Sequence, residues 1–140
     1  MEPQAIQIVS PTDHGLERAK VLASPYEFTM ATRAKWEMIV ADEDMTIVKS
    51  AVEEIKIRKI ELQKDLLAIL CAFTPHPLVS VVRVGSGVGV APVESDRCIE
   101  VAYIVGQETG EIEKDDLLGV LNILPIMFTR EARAPVRIRE

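Results

Sequence analysis

Aromatic residues are scarce in this 140-residue chain, at 4% of the composition, and cysteine and histidine occur only twice each. The core must therefore be aliphatic, with Val, Ile and Leu as its main components and Met as a filler. Two cysteines exclude a disulfide-stapled scaffold and favour a reducing cytoplasm. The net charge of −6 argues against a protein that holds nucleic acid by counterion release.

Long apolar runs are also missing. The longest extends from Leu117 to Phe128 and is interrupted by Gly119, Asn122 and Pro125, whereas a membrane-spanning helix needs about twenty apolar residues. An acidic residue, Glu2, stands where a secretory signal carries basic residues. We therefore expect a cytoplasmic protein that does not bind to a membrane.

Apolar residues that alternate with polar ones, between Gly and Pro turn signals, dominate the rest of the chain. Hydrophobic residues make up 48% of the composition, enough for one compact domain over residues 1–140. The pattern predicts a mainly β fold, a small barrel or sandwich of short strands. Residues 1–34 are expected to be irregular, with a helical turn over Leu16–Leu22, and residues 129–140 to form a basic tail. Strands are predicted near residues 36–40, 55–62, 78–84, 88–93, 98–105 and 118–127.

The segment from residue 45 to residue 72 allows a second interpretation. A helix there would give an α+β fold, and several of its apolar residues fit a 3.6-residue period. That helix would direct Ile57 and Ile60 into solvent. Two extended stretches separated by a β-bulge account for both residues better.

Two segments share a pattern that is consistent with loose half-copies. Each has an apolar residue, a polar turn that contains Lys-Asp, and an apolar strand, with the turns at Lys64-Asp65 and Lys114-Asp115. The strand after the second turn, Leu117–Ile126, is apolar at both alternating sets of positions. It is therefore predicted to be central and buried on both faces, with Pro125 at its end or on an edge.

Two motifs of the middle region carry a resemblance to a known family. They are Pro75-His76-Pro77-Leu78 before a valine-rich strand, and Gly110-Glu111-Ile112-Glu113-Lys114-Asp115-Asp116-Leu117-Leu118-Gly119-Val120-Leu121. The stretch from about residue 36 to residue 128 thereby resembles an archaeal family called domain of unknown function twenty-two. The resemblance implies an archaeal source, no established activity and no catalytic residues.

His76 is the candidate for catalysis, because a histidine held between two prolines suits a general base or a ligand contact. The simpler interpretation is a loop histidine bonded to a neighbouring carbonyl. Cys71 and Cys98 lie next to apolar runs without paired ligands, so we expect reduced, mostly buried thiols and no metal or cofactor. The candidate ligand-binding residues are His76, Arg83, Ser86, Arg130 and Arg133.

Arginines cluster at the C-terminus, at positions 130, 133, 137 and 139. They are suited to clamp a phosphate or nucleic acid, or to reach an acidic neighbouring subunit. The alternative is an edge strand, Val136–Arg139, whose arginines face solvent.

Two functional hypotheses follow. The first is a non-catalytic β-domain that acts by homo-oligomeric assembly or small-ligand binding, supported by a mean hydropathy of +0.15. The second is an enzyme that acts on a small or phosphorylated metabolite near His76. An enzyme requires a carboxylate or an arginine that converges on His76.

Overall fold

The computed structural model describes residues 3–24, 27–30, 33–73, 75–86, 93, 95–130 and 136–138, without the side chains of residues 27 and 28. These residues form strands and no helix: β1 (Gln4–Thr12), β2 (Gly15–Ala23), β3 (Glu27–Met30), β4 (Lys35–Val40), β5 (Met45–Ile47), β6 (Val52–Leu62), β7 (Leu66–Leu70), β8 (Val79–Gly85), β9 (Arg97–Gly106), β10 (Gly110–Ile112), β11 (Leu117–Arg130) and β12 (Val136–Arg137). The prediction of a mainly β fold is confirmed. The alternative of a helix in residues 45–72 is wrong, because β5, β6 and β7 occupy that segment. The strand predicted at residues 88–93 falls almost entirely outside the described residues.

The chain divides into two compact units, Met1–Thr29 with Met127–Glu140, and Met30–Ile126. In the first unit β1 pairs antiparallel with β2 along its whole length, and β12 pairs with the other edge of β2. The expectation of an irregular N-terminal segment with a helical turn over Leu16–Leu22 is wrong for β1 and β2. Apolar residues occupy both faces of this hairpin, so the sequence shows no clear period-two pattern there.

Three sets of paired strands build the second unit. β9 lies between β6 and β8, β5 pairs with β10, and β11 pairs with both β4 and β7. β11 also pairs with β3. The sheets do not close into a barrel within the described residues, and the unit is a small sandwich-like β-domain. The aliphatic core is formed by Ile39, Ala41, Ile47, Ile55, Ile57, Ile60, Leu62, Val79, Ile99, Ala102, Ile104, Ile112, Leu118, Leu121 and Ile123.

The predicted bulge in β6 is present. Its register with β9 shifts between Lys56 and Ile60, so residues 57–59 lie opposite the single residue Glu100. Within the bulge Ile57 forms an isolated bridge with Ala41. Ile57 and Ile60 are both buried, which is the outcome that a helix could not have given.

β11 is central, as predicted, and both of its faces carry buried residues. On one face Leu121 and Ile123 are each 1% exposed. On the other face Val120 is 5% exposed and Ile126 is 9% exposed. Asn122, between these two, is half-buried and lies opposite Trp36 of β4 and Ile69 of β7, which are exposed. Burial on both faces is therefore confirmed at these four positions but not at Asn122. Pro125 ends the pairing with β7 but not the strand, which continues to Arg130.

The first Lys-Asp turn joins β6 to β7. Asp65 has a positive φ of 64°, a conformation that aspartate tolerates better than most residues. The N–H of Lys64 donates to Oδ1 of Asp96 over 2.9 Å. The N–H of Asp65 donates to the carbonyl of Val93 over 2.8 Å. The loop before β9 therefore holds this turn.

The second Lys-Asp turn, between β10 and β11, repeats this arrangement. Asp115 has a φ of 78°. The N–H of Lys114 donates to Oδ1 of Asp44 over 2.7 Å, and the N–H of Asp115 donates to the carbonyl of Ala41 over 2.8 Å. The loop before β5 holds this turn.

The two half-copies therefore interlock. Asp44 and the carbonyl of Ala41, in the first half, bind the turn of the second half. Asp96 and the carbonyl of Val93, in the second half, bind the turn of the first half in the same way. Strands also pair between the two halves: β5 of the first half pairs with β10 of the second, and β6 of the first pairs with β9 of the second. The half-copies that the sequence indicated therefore make equivalent contacts with each other.

Candidate functional site

His76 is held at both nitrogens of its ring. Nε2 lies 2.9 Å from Oδ2 of Asp116, and Nδ1 accepts a hydrogen bond from the N–H of Leu78 over 3.1 Å. Because Nδ1 accepts, the proton of the neutral ring lies on Nε2 and is donated to the carboxylate. The side chain of His76 is 10% exposed.

Asp116 is the residue that the second half-copy has in addition to the first. Its Oδ2 also accepts from the N–H of Glu113 over 3.0 Å. The hydrogen bond from His76 and the one from Glu113 hold the pKa of Asp116 below its ordinary value. A carboxylate therefore does converge on His76, as an enzyme would require. The contact ties the segment before β8 to the turn before β11, and together with the N–H of Leu78 it occupies both ring nitrogens.

The other predicted ligand-binding residues that the structure describes lie on β8, directly after β8 and on β11. Arg83 of β8 stacks on the ring of Tyr103, with its guanidinium carbon 4.3 Å from the ring centroid. Ser86 lies directly after β8, and Arg130 is the last residue of β11. Arg133 lies outside the described residues.

Cys71 and Cys98 are free thiols, and both are half-buried rather than mostly buried as expected. The Cys98 thiol lies 3.7 Å from a carboxylate oxygen of Glu100. Desolvation, together with this carboxylate, raises the pKa of Cys98, which disfavours a nucleophilic thiolate. Across the described part of the chain, no three His, Cys, Asp or Glu side chains are grouped to hold a metal ion.

A shallow groove of about 300 Å³ lies on the first unit. It is lined by Gln7, Arg18, Ala19, Lys20, Arg137 and Ile138. Arg18 and Lys20 project from one face of β2, because they are two residues apart on a strand. Arg137 forms an ion pair with Glu17 over 3.1 Å.

The sequence pointed to only part of this groove. Arg137 belongs to the predicted basic cluster, and its strand is the predicted exposed edge. Arg18 and Lys20 were missed, because their two-residue spacing indicates a shared face only on a strand, and this segment was expected to be irregular or helical.

β1, at one edge of the sheet in the first unit, is exposed along its whole length. All nine residues of β1 are exposed, including Ile6, Ile8 and Val9. β1 is the outer strand in the order β1-β2-β12 and has no charged residue. Among the described residues, it pairs on one side only.

Residues 5–110 match the family model described as Domain of unknown function DUF22. The chain belongs to this family. An uncharacterised protein of Methanocaldococcus jannaschii is 33% identical over 99 residues, which cover 71% of this chain and 75% of that protein. No solved structure matches the chain. The resemblance inferred from the sequence is confirmed, and the DUF22 match includes most of β1.

One further finding concerns membranes. None of the described residues belongs to a helix that is long and apolar enough to cross a bilayer.

Proposed function

We propose that this protein acts by assembly, with copies of the chain associating through the hairpin of β1 and β2. The observation that carries the proposal is the exposure of the whole of β1. A two-stranded hairpin is at best marginally stable in water, and further strands or a packed face are needed to stabilise it. Among the described residues, β12 adds Val136 and Arg137, on the β2 side.

Exposed apolar side chains on the hairpin support the same proposal. They are Ile6, Ile8, Val9, Leu16 and Leu22. An apolar surface of this kind on a small unit is typical of an interaction site. The two free thiols are compatible with action in a reducing cytoplasm.

The experiment is a measurement of mass and melting temperature over a roughly hundredfold range of protein concentration. For an obligate oligomer, the melting temperature rises with concentration because association is linked to folding. We expect an oligomer by native mass spectrometry and light scattering. A monomer over the whole range contradicts the proposal.

The groove favours a second candidate function, the binding of a phosphoryl group on a small molecule. Arg18 and Lys20 line it from one face of β2, and cationic donors of this kind bind phosphate oxygens. The net charge of −6 makes a long polyanion a poorer ligand than a small one.

Calorimetric titration with inorganic phosphate and with a sugar phosphate tests this candidate. The double variant Arg18→Gln/Lys20→Gln is expected to lose the binding, and added salt to weaken it in the wild type. Lys64→Gln, in the other unit, is the matched control. Equal binding by all three proteins, or none by the wild type, contradicts it.

The alternative of an enzyme centred on His76 has less support. Its general base would need a ring nitrogen that is available to substrate, and in this protein Asp116 and Leu78 engage both.

A further inference from the structure

The backbone of β1 offers hydrogen-bonding groups along its open edge. The carbonyl of Lys20 accepts from the N–H of Ile138 over 2.8 Å, so Lys20 directs its backbone polar groups towards β12. Gln7 lies directly opposite Lys20. In an antiparallel pair, two opposite residues either exchange both hydrogen bonds or both point away. Gln7 therefore directs its N–H and C=O to the open edge, and by alternation Ala5 and Val9 do the same.

The position of proline agrees with this assignment. Pro11 belongs to the same alternation as Gln7 and Val9, so its missing N–H falls on the open edge, where proline is tolerated in a strand. Natural edge strands are usually blunted by charged side chains along their length. β1 has none from Gln4 to Thr12.

We propose that two copies of the chain pair antiparallel along β1, with the two-fold axis at Gln7. This inference rests on the proposed assembly function and names its surface and its partner, a second copy. Gln7 then lies opposite the partner's Gln7, and Ile6 lies opposite the partner's Ile8. The apolar pair buries side chains that are 42% and 39% exposed in the single chain.

The register follows from the same alternation. Residues whose backbone groups face the edge stay opposite one another whether the axis lies at Ala5, Ile6, Gln7, Ile8 or Val9. An axis at Val9 would place the N–H of Gln7 opposite Pro11, and an axis at Ile8 would place the N–H of Ala5 opposite Pro11. An axis at Ala5 or Ile6 would shorten the ladder. An axis at Gln7 pairs residues 4–10 of both copies and keeps Pro11 outside the ladder.

Because Gln7 lies opposite the partner's Gln7, the variants Gln7→Lys and Gln7→Glu give a specific test. Like charges directly opposite each other on paired strands are destabilising, and opposite charges are favourable. Each variant alone is expected to be monomeric at a concentration where the wild type is dimeric. An equimolar mixture is expected to form a dimer with one copy of each, which native mass spectrometry distinguishes from homodimers by mass.

Ser10→Lys is the matched control, because in this register position 10 lies opposite the partner's Gln4, which is uncharged. It is expected to remain dimeric. Amide hydrogen exchange of the wild type provides a readout that needs no variant. The N–H groups of Gln7 and Val9 should be protected at high protein concentration and should exchange faster on dilution.

The outcomes separate this inference from the proposed function. A monomeric wild type contradicts both. A wild-type oligomer that survives both substitutions at Gln7, with exchanging amides at Gln7 and Val9, leaves assembly intact and overturns the β1 interface. Variants that are monomeric and do not associate when mixed place the axis elsewhere and overturn this register.

Discussion

Asp44 and Lys114, which are 70 residues apart in the chain, are joined by a 2.7 Å hydrogen bond from the backbone N–H of Lys114 to Oδ1 of Asp44. Asp96 and Lys64 make the same contact over 2.9 Å. Each loop thus holds the turn of the other half. Contacts of this kind link distant parts of the chain, so we expect the second unit to unfold cooperatively and to fold slowly for its size.

The first prediction concerns the two aspartates that hold these turns. Asp44→Ala and Asp96→Ala each remove the acceptor of a backbone N–H, and each is expected to lower the free energy of unfolding by about 1–2 kcal/mol. Asp44→Asn keeps an acceptor oxygen and should cost less. Urea unfolding measures all three. Unchanged midpoints for both alanine variants would show that the contacts do not stabilise the fold.

The second prediction concerns the positive φ of Asp65. Asp65→Val places a β-branched side chain in the left-handed region and is expected to cost about 1–2 kcal/mol. Asp65→Gly fits that conformation and should leave the stability within about 1 kcal/mol of the wild type. Lys64→Val, at the preceding residue, controls for the loss of a polar side chain from the turn. Equal losses for the valine and glycine variants at Asp65 would contradict the expectation.

The strands of the second unit could be predicted from the sequence because one of their faces is buried. Burial imposes period-two alternation, which is visible at Ile55, Ile57, Ile60 and Leu62. All of β1 is exposed, and on β2 only Val21 is buried, so this constraint is weak in the hairpin. The exchange of turns between the halves was also beyond prediction, because the Lys-Asp pattern does not specify which loop supplies the acceptor.

The candidate site, too, could be predicted only in part. The sequence indicated that His76 would need a converging carboxylate, but not that Asp116 would supply it or that Leu78 would occupy the other nitrogen. These contacts join residues 40 apart and residues two apart. Only the folded chain brings both to one ring. Arg18 and Lys20 of the groove were missed because the segment that forms β2 was not predicted to be a strand.

A third prediction tests the position of β11 in the core. Leu121 is 1% exposed and Met38, on neighbouring β4, is 59% exposed. Leu121→Ala leaves a cavity and is expected to cost about 2–5 kcal/mol. Met38→Ala, a matched truncation of an exposed side chain, should stay within about 0.5 kcal/mol. Coincident urea midpoints for Leu121→Ala and wild type would show that this strand is not in the core.

The last prediction concerns pH and the pair of His76 and Asp116. The hydrogen bond from His76, with that from the N–H of Glu113, lowers the pKa of Asp116 from its ordinary value of 3.8. Between the lowered value and 3.8, the unfolded chain binds more protons at this carboxyl than the folded protein does. The stabilisation is therefore fully present above 3.8 and is lost as the pH falls through the folded-state pKa.

Asp116→Asn removes this titration, so the variant is expected to be less stable than the wild type near neutral pH. The difference in the free energy of unfolding should shrink as the pH falls below about 4, the usual range for carboxyl groups. Urea unfolding at a series of pH values measures it. Asp115→Asn is the control for loss of a neighbouring carboxylate, since asparagine tolerates the positive φ there. A difference between wild type and Asp116→Asn that stays constant from neutral to acid pH would show that the contact with His76 does not favour the charged form of Asp116.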